Sequence, residues 1–363
     1  MRIAILYLGR GGGIAHCALE LAAALADHAR IECFVAAQND LLDQFQSLPC
    51  EVHAFPMKRG PGAALFELIR NAQGRVIGRP ILAFKPDLVL DVGSGVWGPF
   101  VRAGLIHKVP VATIVHDVSI HPDLRSFVDA LPELIVPAIG DIVISLSAFS
   151  HRQLQRKYPG KKLIRSNLGV IMSSDSIDPI RVAAARHRQL FFGRVHPYKG
   201  LEVLVDAFHI AKPLMPSLQL DVVGPGTISR RLIRRMSDLG IGVVNRYVPE
   251  ETLQLILAAH GVMILPYTSA TQSAAAAVAL GQGMPCIASK VGALPEQVAN
   301  GTSGLIVPPG DAEALAQAMV TIAMDESMAV AMAAATLRLG REVYSWDAIA
   351  QKLLRDLQSV LRS

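Results

Sequence analysis

Arg194 and Lys199 stand five positions apart in Phe192-Gly193-Arg194-Val195-His196-Pro197-Tyr198-Lys199-Gly200. A guanidinium offers a bidentate fork and an ammonium a point charge, and the two together suit a diphosphate. They fit a solvated surface as well. Val222-Val223-Gly224-Pro225-Gly226 is a second apolar run ending in a glycine turn. A third is Leu265-Pro266-Tyr267-Thr268-Ser269-Ala270-Thr271-Gln272-Ser273, followed by alanines from Ala274. Ser273 stands where a helix N-cap belongs. The amides behind it suit phosphate oxygens, or Thr271 or Ser273 simply caps the helix. Gly9-Arg10-Gly11-Gly12-Gly13 suits either a tight turn or a close backbone approach to an anion or sugar. Its spacing is not GxGxxG, and no acidic residue ends the next strand, so a dinucleotide dehydrogenase fits poorly. Val115-His116-Asp117 ends another apolar run, with His121 nearby, and His116 fits a structural or a ligand-facing role.

Each of these groups follows a short apolar run and precedes a helical one. Strands are predicted at 2–8, 31–36, 88–91, 111–115 and 141–146, with a helix at 14–28. The pattern restarts with strands at 189–192, 218–223, 242–245, 261–265 and 285–289. Helices are predicted at 200–212, 229–239, 253–259 and 273–283. This alternation predicts α/β architecture with parallel sheets covered on both faces. We divide the chain into a domain at 1–170, a linker at 171–188 that begins with the polar run Met172-Ser173-Ser174-Asp175-Ser176, a domain at 189–340, and C-terminal helices at 341–363. Ligands of such folds bind at the carboxyl ends of strands, which here predicts a cleft between the domains.

The 363 residues exceed what one core usually holds, in line with two domains. With 51% apolar and 18% charged residues, the chain is too apolar for disorder. A net charge of +5 suits acidic ligands or an anionic membrane surface and falls short of a nucleic-acid-coating protein. Cys17, Cys33, Cys50 and Cys286 form no CxxC pair, which predicts free thiols in a reducing cytoplasm. Met1-Arg2 runs straight into Ile3–Leu8, predicting a strand rather than a secretory signal. Thr252 to Ser289 lacks charged residues, but its polar turn at 266–273 predicts buried helices and strands rather than a membrane span.

Together the motifs resemble the retaining glycosyltransferases of family 4, over nearly the whole chain. The most specific piece is Phe192-Gly193-Arg194 through Lys199-Gly200-Leu201-Glu202. Gly224-Pro225-Gly226, Tyr247-Val248-Pro249-Glu250-Glu251, Leu265-Pro266-Tyr267 and Gly283-Met284-Pro285 follow. Val291-Gly292-Ala293-Leu294-Pro295-Glu296 and Pro308-Pro309-Gly310-Asp311 complete it. The resemblance implies the GT-B fold, two Rossmann-like domains with parallel sheets facing a central cleft. It also implies transfer of a hexose from a nucleotide-diphosphate sugar, UDP or GDP being the expected bases, without a further cofactor or a metal.

By the same resemblance, Arg194 and Lys199 would bind the donor diphosphate, with Gly12, Gly13 and Gly224 beside the donor. His116 would contact the donor sugar. Tyr247 and Val248 would meet the nucleobase through their backbone. Gly292, Ala293 and Leu294 would line the sugar pocket, and residues 341–363 would cross back to the first domain, with Trp346 near the crossing. The family usually carries two glutamates eight positions apart, and Ala270 and Val278 stand in their places. Thr271-Gln272-Ser273 instead resembles the Thr-Gln-Ser variant of a branch engaged in polysaccharide assembly. There Ser273 and the amides after it, from Ala274 on, would hold the β-phosphate. With Ala270 where a nucleophile would stand, same-face departure and attack is the expected mechanism. We find no Asp, His and Glu cluster in the sequence that suggests a metal.

The acceptor is less legible. Lys58, Arg59, Arg70, Arg75, Arg79 and Lys85 interleave with Leu65, Phe66, Leu68 and Ile69. This segment fits the inner face of an anionic membrane and a glycan or lipid-linked acceptor, or a solvated helix face. Arg230, Arg231, Arg234 and Arg235 fit a solvated helix face or a contribution to the positive field of the cleft. A catalytically silent nucleotide-binding subunit and a sugar-nucleotide epimerase are the rival readings.

Overall fold

A computed structural model describes residues 1–57, 72–105, 107–116, 140–172 and 176–362. Two compact units divide them. The first is Met1–Leu168 with Trp346–Ser363, and the second is Gly169–Ser345.

In the first unit the strands β1 (Arg2–Tyr7), β2 (Arg30–Ala36), β3 (Glu51–Phe55), β4 (Leu88–Asp91), β5 (Val111–Val115), β6 (Ile142–Ser145) and β7 (Lys162–Arg165) form one sheet. Its order is β3-β2-β1-β4-β5-β6-β7, and every pairing is parallel. Burial on both faces explains the unbroken apolar runs of β1, β4 and β5. Helices Gly13–Ala26 and Trp346–Arg362 pack together in this unit.

In the second unit β8 (Arg188–Phe192), β9 (Gln219–Val223), β10 (Gly242–Val244), β11 (Val262–Leu265), β12 (Cys286–Ser289) and β13 (Gly304–Val307) pair in parallel, in the order β10-β9-β8-β11-β12-β13. Alternate residues feed two cores. Phe191, Val222, Ile264 and Ile287 pack with Leu204, Phe208 and Met319 on one face. Leu190, Val223, Met263 and Leu265 pack with Leu253, Ala276 and Ala279 on the other.

Several expectations change. The segment 171–188 is not a free linker. It belongs to the second unit and forms the helix Pro179–Ala184, capped by Asp178, whose Oδ1 accepts from Ile180 N at 2.9 Å. The apolar side of that helix explains why: Val182 and Ala183 are buried. The boundaries fall after Leu168 and Ser345, so 341–345 stays with the second unit. Strands β3, β7 and β13 and helices Ala312–Met324 and Glu326–Glu342 add to the elements read from the sequence.

All four cysteines are free, with Cys17, Cys33 and Cys286 buried and Cys50 half-buried. The charge-free run 252–289 lies across helix Glu250–Ala258, β11, helix Ala274–Gly281 and β12. Among the described residues no single helix is long and apolar enough to cross a membrane. The first half of the basic segment, 58–71, and residues Asp117 and His121 lie outside the described residues.

Candidate functional site

The loops after β8 and β9 are built against each other. Gly193 N–H donates to Val223 O at 2.9 Å, and Val195 N–H donates to Pro225 O at 2.8 Å. Gly193 has φ 117° and Gly224 has φ 140°. A Cβ at Gly224 would stand 2.2 Å from the Gly193 carbonyl oxygen, so a side chain there would part the loops. Arg194 projects exposed from this turn.

Lys199 ends a 3-10 turn, Pro197–Lys199, just before helix Leu201–Leu214. Its Nζ donates to the Tyr267 hydroxyl at 3.0 Å and stands 4.8 Å from the centre of that ring. Tyr267 is almost wholly buried, and its hydroxyl lies 3.3 Å from Ser273 Oγ. Ser273 Oγ accepts from Ala276 N at 3.2 Å, which makes it the side-chain cap of helix Ala274–Gly281. Lys199, Tyr267 and Ser273 thus form one polar line ending at a helix N-terminus, a place that favours negative charge. Both functions proposed for Ser273, cap and anion contact, use the same edge of the helix.

Two further residues complete this arrangement. Gln297 is buried and clamps Ser273 from both sides: Ser273 N–H donates to Oε1 at 2.9 Å, and Nε2 donates to Ser273 O at 3.0 Å. Gly292 has φ 53°, and a Cβ there would stand 1.6 Å from the Ala270 carbonyl oxygen. The loop 292–294 is therefore packed directly on the Thr271–Ser273 loop. Thr271 and Ser273 are buried and Ala274 is exposed, with Gln272 half-buried between them. Ala293 and Leu294 are buried, so this turn offers backbone rather than side chains. Tyr247 is 78% exposed while Val248 is buried.

In the first unit, Gly12 is the N-cap of helix Gly13–Ala26 with φ 80°. Among the described residues nothing lies within 4 Å of a Cβ added at Gly12 or Gly13. The loop is tied to Asp40: Asp40 N–H donates to Arg10 O at 2.7 Å, and Arg10 Nε donates to Asp40 Oδ1 at 3.1 Å. His116 Nε2 donates to Val92 O at 2.8 Å, which sets its tautomer. His116 also borders a cavity of about 10 Å³ with Cys17, Leu21 and Trp346, room for about one water. The turn after Val92 is held by buried Asp91, which accepts from Ser94 N and Ser94 Oγ at 2.9 and 2.7 Å.

Residues 12–165 match the Glycosyl transferase 4-like domain family, and residues 186–325 match the family Glycosyl transferases group 1. Both domains are of the glycosyltransferase family 4 type. A D-inositol 3-phosphate glycosyltransferase of Streptomyces avermitilis is 27% identical over 281 residues, 70% of this chain and 59% of that protein. A GDP-mannose-dependent alpha-(1-6)-phosphatidylinositol monomannoside mannosyltransferase of Mycolicibacterium smegmatis is 26% identical, over 69% of each chain. Anabaena HepE in complex with UDP has the same fold, with a TM-score of 0.73 at 18% identity, covering 99% of this chain and 100% of that one. The two parallel α/β domains are thus of the GT-B fold.

Within this family-4-type fold, sequence reasoning passed over two positioning residues. Tyr267 stood inside the Leu-Pro-Tyr motif, and its phenol was the available signal. Gln297 lies 24 residues beyond Ser273, and no local spacing connects them. Ala270 and Val278, at the places of the usual glutamates, are both buried and apolar. One grouping of Glu and His side chains was not read from the sequence. The fold brings Glu32, Glu51 and His53 within 4.8 Å of one another, because β2 and β3 pair side by side. Alternation in Glu51-Val52-His53 would have shown it once that stretch was read as a strand.

Proposed function

We propose that the protein is a retaining glycosyltransferase that moves a hexose from a nucleotide-diphosphate sugar to an acceptor hydroxyl. The observation that carries this reading is the line Lys199–Tyr267–Ser273, ending at the start of helix Ala274–Gly281, in a domain of this family type. It gathers a cation, two hydroxyls and a helix N-terminus where a leaving diphosphate would need them. Exposed Arg194, on the adjoining turn, supplies a second cation.

In the reaction, the bond from the anomeric carbon to the diphosphate oxygen breaks and its electron pair stays on the diphosphate. The acceptor oxygen bonds to the same carbon on the same face. The acceptor proton passes to the departing diphosphate oxygen. Arg194, Lys199 and the amides behind Ser273 stabilise the growing charge, and preorganised donors of this kind are each worth ~3 kcal/mol. Ala270 has no carboxyl, which supports same-face transfer over a double displacement. The two side-chain cations supply at the diphosphate the positive charge that a metal would otherwise bring. Gly12, Gly13 and His116 keep in this proposal the donor-contact roles that the resemblance implies.

UDP and GDP are the donor bases of this proposal. HepE binds UDP and the Mycolicibacterium relative uses GDP-mannose, as their names state. The acceptor is a glycan or a lipid-linked glycan, met at the inner face of an anionic membrane from the cytoplasm. A second reading, a silent nucleotide-binding subunit, draws on buried Val278, which leaves the ribose without its usual carboxylate.

Thermal melts with UDP, GDP, ADP, dTDP and their sugars test the proposal, on wild type and Arg194→Ala. A ligand at a hundred times its dissociation constant adds ~2.7 kcal/mol. Stabilisation by one base, lost in the variant, is expected. Turnover to nucleoside diphosphate with acceptor present separates a transferase from a silent subunit. No shift with any nucleotide overturns both readings.

A further inference from the structure

We propose that Glu32, Glu51 and His53 form a binding site for a divalent cation of the zinc class on the outer edge of the first domain's sheet. Glu32 lies on β2, while Glu51 and His53 lie on the edge strand β3. Glu32 pairs in register with Glu51, and Phe34 pairs with His53. Residues two apart on a strand share a face, so the three side chains rise from the same side of the sheet. His53 Nε2 lies 3.0 Å from Glu32 Oε2 and 3.7 Å from Glu51 Oε1. Tetrahedral zinc with bonds of about 2.0–2.2 Å needs donor atoms roughly 3.4 Å apart. The two observed spacings bracket that value, and the three donor atoms lie within 4.8 Å of one another.

Three other features favour a cation. The His53 ring stacks on Phe34, with centroids 4.6 Å apart and planes 13° apart, which fixes the ligand's orientation before binding. Among the described residues neither carboxylate has a lysine or arginine in ion-pair contact, and His53 is the partner of both. Two negative charges therefore converge on one imidazole. Beside them, a surface hollow of about 340 Å³, lined by Arg30, Glu32, Cys50 and Glu51, leaves room for water as the remaining ligands.

The donor set selects the metal. One imidazole nitrogen and two carboxylate oxygens suit Zn²⁺, and Co²⁺ as its spectroscopic substitute. Mg²⁺ and Ca²⁺ favour sites made of oxygen alone. The site also lies near the starts of β2 and β3, whereas Gly12 and His116 follow strand ends. It is separate from the transfer chemistry proposed above. Its consequence is mechanical: among the described residues β3 pairs only with β2, and a shared cation would tie the two together.

The test is equilibrium dialysis of the full-length chain against Zn²⁺, with metal content measured per chain and thermal melts run alongside. All variants are made on Cys50→Ser, so that the neighbouring thiol plays no part. The Cys50→Ser parent is expected to take up one Zn²⁺ that excess Mg²⁺ does not displace, and to melt higher with it. Glu51→Gln and His53→Ala are expected to weaken uptake at least about tenfold and to lose the thermal shift. Glu51 is exposed, so Glu51→Gln keeps the test decisive should His53→Ala fail to fold. Uptake unchanged by Glu51→Gln and His53→Ala, uptake abolished by Cys50→Ser alone, or no uptake at all overturns the proposal. Since the readout is bound metal, it stands or falls apart from any glycosyl transfer.

Discussion

Lys199 and Tyr267 are 68 residues apart in sequence, yet the lysine donates to the phenol at 3.0 Å and stands over its ring. The ammonium is thereby held by a neutral partner. It keeps its full charge for an anion, whereas a carboxylate partner would have neutralised it. The phenol in turn reaches Ser273, so one buried ring aligns a cation with a helix start.

Lys199→Ala is expected to lower kcat/KM by about a hundredfold, the scale of one preorganised donor in a transition state. Tyr267→Phe keeps the ring and the cation but removes the oxygen between them. About tenfold is expected from loss of one hydrogen bond to a charged group. Steady-state kinetics on both variants check this, and equal effects from the two would mean that the hydroxyl itself touches substrate.

Gln297→Leu removes both hydrogen bonds to the Ser273 backbone at nearly constant volume. The buried Ser273 amide loses its Gln297 acceptor, while its carbonyl keeps the bond from Ala277 N–H, at a cost of about 1–3 kcal/mol. Urea unfolding should show a lower midpoint with an unchanged slope.

Gly13→Ala separates folding from ligand approach. Among the described residues nothing lies within 4 Å of the added methyl, and Gly13 opens a helix, where alanine is the better former. The melting temperature should hold or rise slightly. Loss of turnover would place a ligand against this loop, and full activity would remove the loop from the donor site. Gly200→Ala should do the opposite. Its φ is 70°, and a Cβ would stand 1.9 Å from the Pro266 carbonyl oxygen, so destabilisation of at least about 2 kcal/mol is expected in thermal melts.

His260 is buried and stands 2.7 Å from Asp221 Oδ2, and its hydrogen bond holds the Asp221 carboxyl below its usual range. The folded chain thus binds fewer protons there than the unfolded chain in acid. The stability from Asp221 is present above the unfolded carboxyl's pKa, about 3.9, and is lost as pH falls through the lower folded value. Melts of wild type and Asp221→Asn between pH 7 and 3 should begin to converge below about pH 4.

Local spacing was enough for the rhythm of strand, loop and helix, because burial of a parallel strand on both faces forces apolar runs such as Leu88–Asp91 and Val262–Leu265. The same reading passed over β3 and β7. Their faces are half open, and polar residues such as Glu51, His53, Lys162 and Arg165 interrupt the run. Helix Pro179–Ala184 escaped for a related reason: it is short, and exposed Ile180 hides its buried side.

The amino-acid sequence by itself determined which loops hold the glycines and cations, since φ values such as those of Gly193 and Gly200 admit few other residues. It also determined that Ala270 and Val278 bring no carboxylate. Only the tertiary structure decided that Tyr267 joins Lys199 to Ser273, that Gln297 clamps Ser273, and that Glu32 meets Glu51 and His53. Those pairings come from strand order and register within each sheet. Hydrogen bonds and charges act over a few ångströms in space, and sequence spacing carries no record of that distance once the chain has crossed from one strand to another.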